Sequence, residues 1–258
     1  MPKLWALLQY DGFVHQTSFD IGKLFLAGTS STLTKVLEVG SYNVNGGLRE
    51  EFPGRFTWTG LDLVSGPGVD VVANDPYVYP FEDDSFDICV SSSTFEHDSF
   101  FWLTFLEVSR VLRPGGLFYI NLPSNGYVHR FPLDIWRFYP DAGIALRDWA
   151  SRNNLTMNLI ESLTAEHGKE IWNDFVAVFQ KDLVSEPPRL YKAIDCRNVR
   201  YWDPASNEVL VLLDSAETQQ IEESAFIRYA LKQKYIRSST RQFIRRVQAW
   251  LRIRKILN

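Results

Sequence analysis

Three carboxylates follow short apolar runs in the first third of the chain. The segment TKVLEVGSYNVNGGLREEF (34–52) places Glu38 at the end of one run, directly before a glycine-bearing turn. Asp62 ends the next run, and Asp75 lies just beyond a third. A carboxylate at the end of a strand can accept hydrogen bonds from two adjacent ribose hydroxyls, and one at Asp75 can accept from an adenine amino group. This spacing favours a site for a nucleoside-containing cofactor.

The turn after the first run argues against two common nucleotide sites. A dinucleotide pyrophosphate requires the close backbone approach that G-x-G-x-x-G allows, and the side chains of Tyr42 and Val44 would obstruct it. A Walker motif is excluded because no Gly-Lys-Ser or Gly-Lys-Thr follows. The remaining candidate is an S-adenosyl-L-methionine (SAM) site.

Two histidines lie where an acceptor would be expected. His97 ends the segment STFEH, and His129 opens the segment HRFPLDIWRFYPD (129–141), which mixes aromatic, arginine and carboxylate side chains in the manner of sugar-binding sites. Methylation of a hydroxyl needs a base, so we interpret His129 as the candidate base and His97 as the alternative. The candidate substrate-binding residues are Arg130, Asp134, Trp136, Arg137 and Tyr139. These aromatics could instead pack the loop onto the core, with Arg137 paired to Asp134 or Asp141.

The elements that would position these residues alternate along the chain. Apolar runs predict strands at 35–40, 56–63, 69–73, 85–91, 116–122, 155–163 and 175–181, and apolar spacing of three to four predicts helices at 98–113 and 141–153. The strand runs are nearly continuous, as expected where both faces of a parallel sheet are covered. We therefore predict an α/β fold with a doubly wound, seven-stranded, mostly parallel sheet.

These pieces together resemble class I SAM-dependent methyltransferases over about residues 30–181. The most specific are VLEVG, GLDL, PFEDDSFDICVSSSTFEH and RVLRPGG, in that order. The resemblance implies that Glu38, Gly40 and Ser41 line the methionine side of SAM, that Asp62 with Leu63 beside it binds the ribose, and that Asp75 and Pro76 bind the adenine. Tyr42 replaces the family's middle glycine and is expected to cover the cofactor.

The C-terminal part of the chain differs in composition from the rest. Residues 226–258 carry ten Lys or Arg and no Asp or Glu, although the net charge of the whole chain is -4. We predict a methyltransferase domain at 1–182 and an extension at 183–258, with a short hairpin or edge strands and a basic amphipathic helix. That helix would pack on the domain, on a sister subunit in a homo-oligomer, or on a membrane surface. Nucleic acid is the least favoured partner.

The predicted function is O-methylation of a sugar or glycan-precursor hydroxyl by a SAM-dependent methyltransferase. Alternatives are N- or carboxyl methylation of a small metabolite, and a catalytically silent subunit that partners another enzyme. The lack of an Asn/Asp-Pro-Pro-Tyr/Phe tetrapeptide after the fourth strand counts against methylation of base amino groups. No metal is expected. The two cysteines suggest no disulfide framework, and we expect a cytoplasmic protein, located either free or at the inner membrane surface.

Overall fold

The computed structural model describes residues 16–43, 46–130, 133–166, 172–182 and 189–212. Three helices, α1 to α3, span Gln16–Gly28, Phe101–Val111 and Asp141–Arg152. Nine strands, β1 to β9, span Lys35–Val39, Thr57–Asp62, Val71–Val72, Phe86–Ser92, Leu112–Pro123, Met157–Ala165, Asp174–Lys181, Cys196–Asp203 and Glu208–Leu212. Short 3-10 helices lie at Leu48–Glu51 and Leu190–Lys192.

All nine strands form one sheet, in the order β3-β2-β1-β4-β5-β7-β6-β8-β9. The strands β1 to β5 run parallel, whereas β7 is antiparallel to both β5 and β6. The chain builds outward from β1 to β3 on one side and resumes with β4 on the other side of β1. The strand order therefore reverses between β1 and β4, and in open α/β sheets a ligand binds at the carboxyl ends of the strands at such a point.

Apolar side chains cover both faces of the sheet. Neighbouring residues in a strand point to opposite faces, so Leu37 and Phe118 pack with α2 and α3 on one face, while Val36 and Tyr119 pack with α1 on the other. The Tyr119 ring stacks on Phe25 of α1, with 4.9 Å between the ring centroids. Burial on both faces explains why the central strands appear in the sequence as continuous apolar runs.

The predicted α/β class and the mostly parallel core are confirmed, but the predicted count of seven strands was wrong. The strands β8 and β9 form an antiparallel hairpin that continues the sheet beyond β6. Their sequences alternate weakly because much of β9 is exposed, which is why we assigned them to a separate hairpin or edge. The chain forms two compact units, 1–212 and 213–258. The division into 1–182 and 183–258 stays a prediction.

The predicted basic helix lies outside the described residues. None of the helices in the described part of the chain combines the length and apolar character that a membrane crossing requires.

Candidate active site

The turn after β1 is held tightly against β2 and β4. Gly40 has a φ of +77°, and a Cβ there would lie 2.0 Å from Thr94 Oγ1, so only glycine fits. The backbone N–H groups of Gly40 and Ser41 both donate to the Leu61 carbonyl, at 3.0 and 3.2 Å. The Ser41 hydroxyl is buried without a hydrogen-bond partner among the described residues. These contacts fix the turn where the strand order reverses.

Tyr42 stands at the rim of this turn. Its ring lies against Gly66, where a Cβ would come within 2.3 Å of Tyr42 Cε2. The side chain remains 39% exposed. The ring therefore borders the loop after β2, and its exposed part faces solvent. The prediction that it covers the cofactor stays a prediction.

Asp62, at the end of β2, is oriented by backbone groups. Its Oδ2 accepts from the Tyr42 N–H at 3.0 Å, and its Oδ1 accepts from the N–H groups of Leu63 at 2.6 Å and Val64 at 3.4 Å. A carboxylate offers about four acceptor positions, so one is left for a ribose hydroxyl. The Leu63 side chain beside it is 54% exposed and offers an apolar surface. These features fit the ribose end of SAM.

Asp75 and Pro76 follow β3 on the same edge of the sheet. The Asp75 side chain is exposed and its Oδ1 accepts the Tyr77 N–H at 2.8 Å. An isolated bridge between Asp75 and Val78 closes the turn. The carboxylate is thus held outward, with acceptor capacity left for an amino group such as that of adenine.

Glu38 is a half-buried carboxylate near the end of β1. Burial raises its pKa to about 7, and the positive charge of Arg49 only partly offsets that effect. The Arg49 guanidinium pairs directly with Asp70, whose carboxylate also accepts the Gly60 N–H at 2.7 Å. Glu38 therefore lacks a close cation of its own among the described residues. A carboxylate in this state suits the ammonium group of a methionine moiety.

The predicted bases His97 and His129 come together in the structure. Their ring centroids lie 5.1 Å apart at a steep angle, and His129 also meets the ring of Trp172 at 5.4 Å. Burial lowers the pKa of His129, although the nearby Asp134 partly offsets the effect. A lowered pKa keeps the imidazole neutral and able to accept a proton near pH 7. The two histidines therefore belong to one cluster.

Asp134 and Arg137 hold the loop that carries His129. Arg137 donates to both carboxylate oxygens of Asp134, at 2.5 and 2.7 Å, and Asp134 Oδ2 also accepts the His129 backbone N–H at 2.7 Å. Arg137 further donates to the Tyr127 carbonyl at 2.7 Å. The Arg137 guanidinium holds the pKa of Asp134 down at about 2. Of the two pairings considered from sequence, the structure contains the one with Asp134.

The other predicted substrate residues lie around this cluster. Trp136 is half-buried, and its Nε1–H donates to the Asp98 carbonyl at 2.9 Å. Arg130 is exposed, and Tyr139 is 65% exposed. Trp136 thus helps fix the loop, whereas Arg130 and Tyr139 project from it.

Sequence reasoning missed two members of the cluster, Glu96 and Trp172. The Glu96 side chain is fully buried, neither of its carboxylate oxygens has a hydrogen-bond partner among the described residues, and burial raises its pKa to about 8. Glu96 Oε1 lies 3.6 Å from His97 Nε2. Its place beside His97 was the only signal in the sequence. Trp172 precedes β7, far from the histidines along the chain, and nothing in the sequence pointed to it.

Comparisons with known proteins relate this chain to methyltransferases. Residues 54–120 match the family described as "Methyltransferase domain". Phthiotriol/phenolphthiotriol dimycocerosates methyltransferase 1 of Mycobacterium ulcerans is 33% identical over 140 residues, which cover 48% of this chain and 42% of that protein. The Mycobacterium tuberculosis phthiotriol/phenolphthiotriol dimycocerosates methyltransferase is 32% identical over 120 residues, which cover 42% of this chain and 38% of that protein. The chain thus spans less than half the length of these relatives.

One solved structure with a similar chain trace is the 1,6-didemethyltoxoflavin-N1-methyltransferase of Burkholderia thailandensis, crystallised with 1,6-didemethyltoxoflavin and S-adenosylhomocysteine. It is 17% identical, covers 64% of this chain and 77% of that chain, and has a TM-score of 0.48.

The sheet and the family match over residues 54–120 identify an α/β, Rossmann-like methyltransferase domain. The chain carries a domain of the class I SAM-dependent methyltransferase family, whose cofactor is S-adenosyl-L-methionine. The predicted family and cofactor are therefore confirmed.

Proposed function

We propose that this protein transfers a methyl group from SAM to a hydroxyl group of a sugar or glycan precursor. The observation that carries the proposal is the pair His97 and His129, joined at the carboxyl edge of the sheet beside the switch point. An imidazole there can receive the proton that a hydroxyl must lose as it is methylated.

The proposed site has a cofactor side and an acceptor side, each formed by different residues. On the cofactor side, Glu38, Asp62 and Asp75 would hold the ammonium, ribose and adenine groups and so fix the position of the reactive carbon. SAM supplies an electrophilic methyl group, and its carbon–sulfur bond breaks as the carbon–oxygen bond forms. On the acceptor side, His129 receives the hydroxyl proton, and His97 is the alternative base.

The loop that holds His129 supplies the remaining features of an acceptor site. Asp134 and Arg137 brace the loop, and the exposed Arg130 and Tyr139 would contact a polar acceptor from its rim. An aromatic ring and a guanidinium are the usual contacts for a sugar face and its hydroxyl groups.

A second acceptor class, a hydroxyl carried by a lipid, is favoured by a separate observation. The same loop exposes a row of apolar side chains, namely Tyr127, Val128, Leu133 and Ile135, which are 41–73% exposed. The mycobacterial relatives are named for methylating phthiotriol and phenolphthiotriol dimycocerosates, which are lipids. An apolar rim would accommodate the hydrocarbon part of such an acceptor.

The remaining parts of the proposal concern location and partners. We propose a cytoplasmic enzyme whose basic segment near residues 239–258 contacts either a sister subunit or the inner membrane surface. The charge of that segment supports attraction to anionic lipid or to the acidic remainder of the chain.

The test is a transfer assay with SAM labelled in its methyl group. Nucleotide-sugars, oligosaccharides and micellar glycolipids are offered separately, and the product is cleaved to locate the label on oxygen. Label on an acceptor nitrogen or carboxylate would replace O-methylation with the alternative reaction. SAM binding in calorimetry without transfer to any acceptor would favour the silent partner subunit, and Asp62→Asn serves as the control for binding.

A further inference from the structure

Three donor groups converge at the acceptor side of the site. One ligand atom each from Glu96, His97 and His129 lies within 4.8 Å of the others. Glu96 and His97 follow β4, whereas His129 comes from the loop after β5, so the fold itself brings them together. Two imidazoles and one carboxylate form a set that binds divalent transition metals.

The Glu96 carboxylate is a buried group that a bound cation would stabilise. The side chain has no exposed surface, and its two oxygens accept no hydrogen bond from the described residues. A buried polar group without a partner is costly, and an ionised one far more so. Such groups are rare in folded proteins, and a bound water or ion is a common partner for them. The His97 Nε2 lies 3.6 Å from Glu96 Oε1.

The state of His97 fits metal binding. Its Nδ1 lies in a short contact with the Leu133 carbonyl, which can only accept, so Nδ1 carries the proton. Nε2 therefore holds a free lone pair on the side of Glu96. Metal-ligating histidines usually donate their other ring N–H to a carbonyl or carboxylate in this way, which fixes the ring and its tautomer.

His129 lies beside a carboxylate as well. Its Nδ1 is 3.5 Å from Asp134 Oδ2, and Asp134 is itself held by two hydrogen bonds from Arg137. The His129 Nδ1 is buried and has no hydrogen-bond partner among the described residues, so both Glu96 and His129 bring an unpartnered buried polar atom to the cluster.

We propose that Glu96, His97 and His129 bind one divalent transition-metal ion of the zinc type. Three protein ligands with an open fourth position are typical of catalytic zinc sites. Ligand atoms that share one ion at about 2.0–2.2 Å lie roughly 3–4 Å apart. The longest separations, of up to 4.8 Å, must therefore shorten by about 1 Å when the ion binds.

The open position would take the acceptor hydroxyl, and this step rests on the proposed function. Glu96, His97 and His129 would hold the ion, and the ion would lower the pKa of the acceptor hydroxyl so that its proton is lost to solvent. The methyl carbon–oxygen bond would then form as the carbon–sulfur bond of SAM breaks and S-adenosylhomocysteine leaves. With the ion bound, both imidazoles would act as ligands, so this route is an alternative to the imidazole-base step of the proposed function and leaves the methylation of a hydroxyl unchanged. Replacing either histidine would then impair methyl transfer to the same extent as removing the ion.

The binding test uses the full chain after treatment with a chelator. Co²⁺ is titrated while its visible absorption is recorded, and Zn²⁺ is titrated by calorimetry. We expect one equivalent to bind, and His97→Ala, His129→Ala and Glu96→Gln each to weaken binding by at least tenfold. The control is Val128→Ala, which alters the exposed neighbour of His129 without removing a donor. A wild-type chain that takes up no Co²⁺ or Zn²⁺ would overturn the proposal, as would three variants that bind like the wild type.

Two further measurements separate this proposal from the proposed function. Melting curves establish that each variant is folded, and Glu96→Gln preserves the shape of the side chain if the histidine variants are unstable. SAM binding is measured by calorimetry with and without Zn²⁺. Intact SAM binding and methyl transfer in a metal-free chain would refute the role of the ion in transfer and leave the methyltransferase proposal standing. Metal binding without methyl transfer to any acceptor would support the metal site and refute the methyltransferase proposal.

Discussion

Replacing Glu38 by Gln should stabilise the protein without ligand at alkaline pH and leave its stability nearly unchanged near pH 5. Glu38 is half-buried near the end of β1, and burial raises its pKa from 4.5 to about 7. The folded state therefore favours the protonated form, while the unfolded chain does not. Glutamine keeps the shape and removes the charge.

The size of the effect follows from the difference in pKa. One pKa unit corresponds to about 1.4 kcal/mol, so the full difference is worth roughly 3 kcal/mol. Because the folded pKa is raised, this stability is present below about pH 4.5 and is lost as the pH rises through about 7. Between pH 5 and pH 8 the contribution of Glu38 to the free energy of unfolding should fall by roughly 2–3 kcal/mol. Solvent at the half-buried carboxylate makes this an upper bound.

Denaturant unfolding at several pH values measures this contribution directly. The difference between Glu38→Gln and the wild type should be small near pH 5 and should grow toward pH 8, where the melting temperature of the variant rises by up to about 5–10 °C. Glu50→Gln removes an exposed carboxylate from the same region and is the matched control. A pH-independent difference, or one that shrinks toward pH 8, would show that burial does not govern the charge of Glu38.

Four other predictions test the cofactor side, the acceptor side and the basic segment. SAM binding near pH 6 should release a proton from Glu38, because the ammonium group stabilises the charged carboxylate. Calorimetry in two buffers of different ionisation enthalpy counts that proton. A binding enthalpy that does not depend on the buffer would argue against contact between Glu38 and the ammonium group. Asp62→Asn should weaken SAM binding at least tenfold and leave the melting temperature nearly unchanged, whereas wild-type affinity would remove the ribose assignment. His129→Gln should lower single-turnover transfer by about 10²–10⁴-fold with little change in SAM affinity; His97→Gln is the matched comparison, and normal chemistry in the His129 variant would transfer the role to His97. Deleting 238–258 should alter vesicle binding or sedimentation behaviour but not SAM affinity, and no change in either would exclude both proposed roles.

Most of the core fold could be predicted because its strands are buried on both faces. The continuous apolar run of β4, for example, leaves little ambiguity, and the amphipathic spacing of α2 gives its position within a few residues. The hairpin β8–β9 was harder, because its partly exposed strands lack a clean alternation and their partner β6 precedes them by more than thirty residues. Pairing over that distance depends on the tertiary structure, which local sequence does not encode.

The cofactor side and the acceptor side of the site also differed in how far the sequence could predict them. Asp62 and Asp75 could be placed because the carboxyl ends of parallel strands share one edge of the sheet. The cluster around His129 could not, because it depends on how a loop folds back. Only the structure shows that Asp134 is taken by Arg137 and that Trp172 packs on His129. Glu96 directly precedes His97 in the sequence, but its burial without a hydrogen-bond partner can be seen only in the folded structure.

Glu38 and Glu96 stand on the two sides of the switch point, one on β1 and the other just beyond β4. Burial raises the pKa of both carboxylates, which means that the fold is less stable with these groups charged than it would be with neutral groups. Stability alone would favour apolar or amide side chains at both positions. A cation beside either carboxylate would offset the free-energy cost of its buried charge. Two positions at the central edge of the sheet therefore favour a bound cation. On the Glu38 side the ammonium group of SAM would supply this positive charge, and on the Glu96 side the proposed metal ion would supply it.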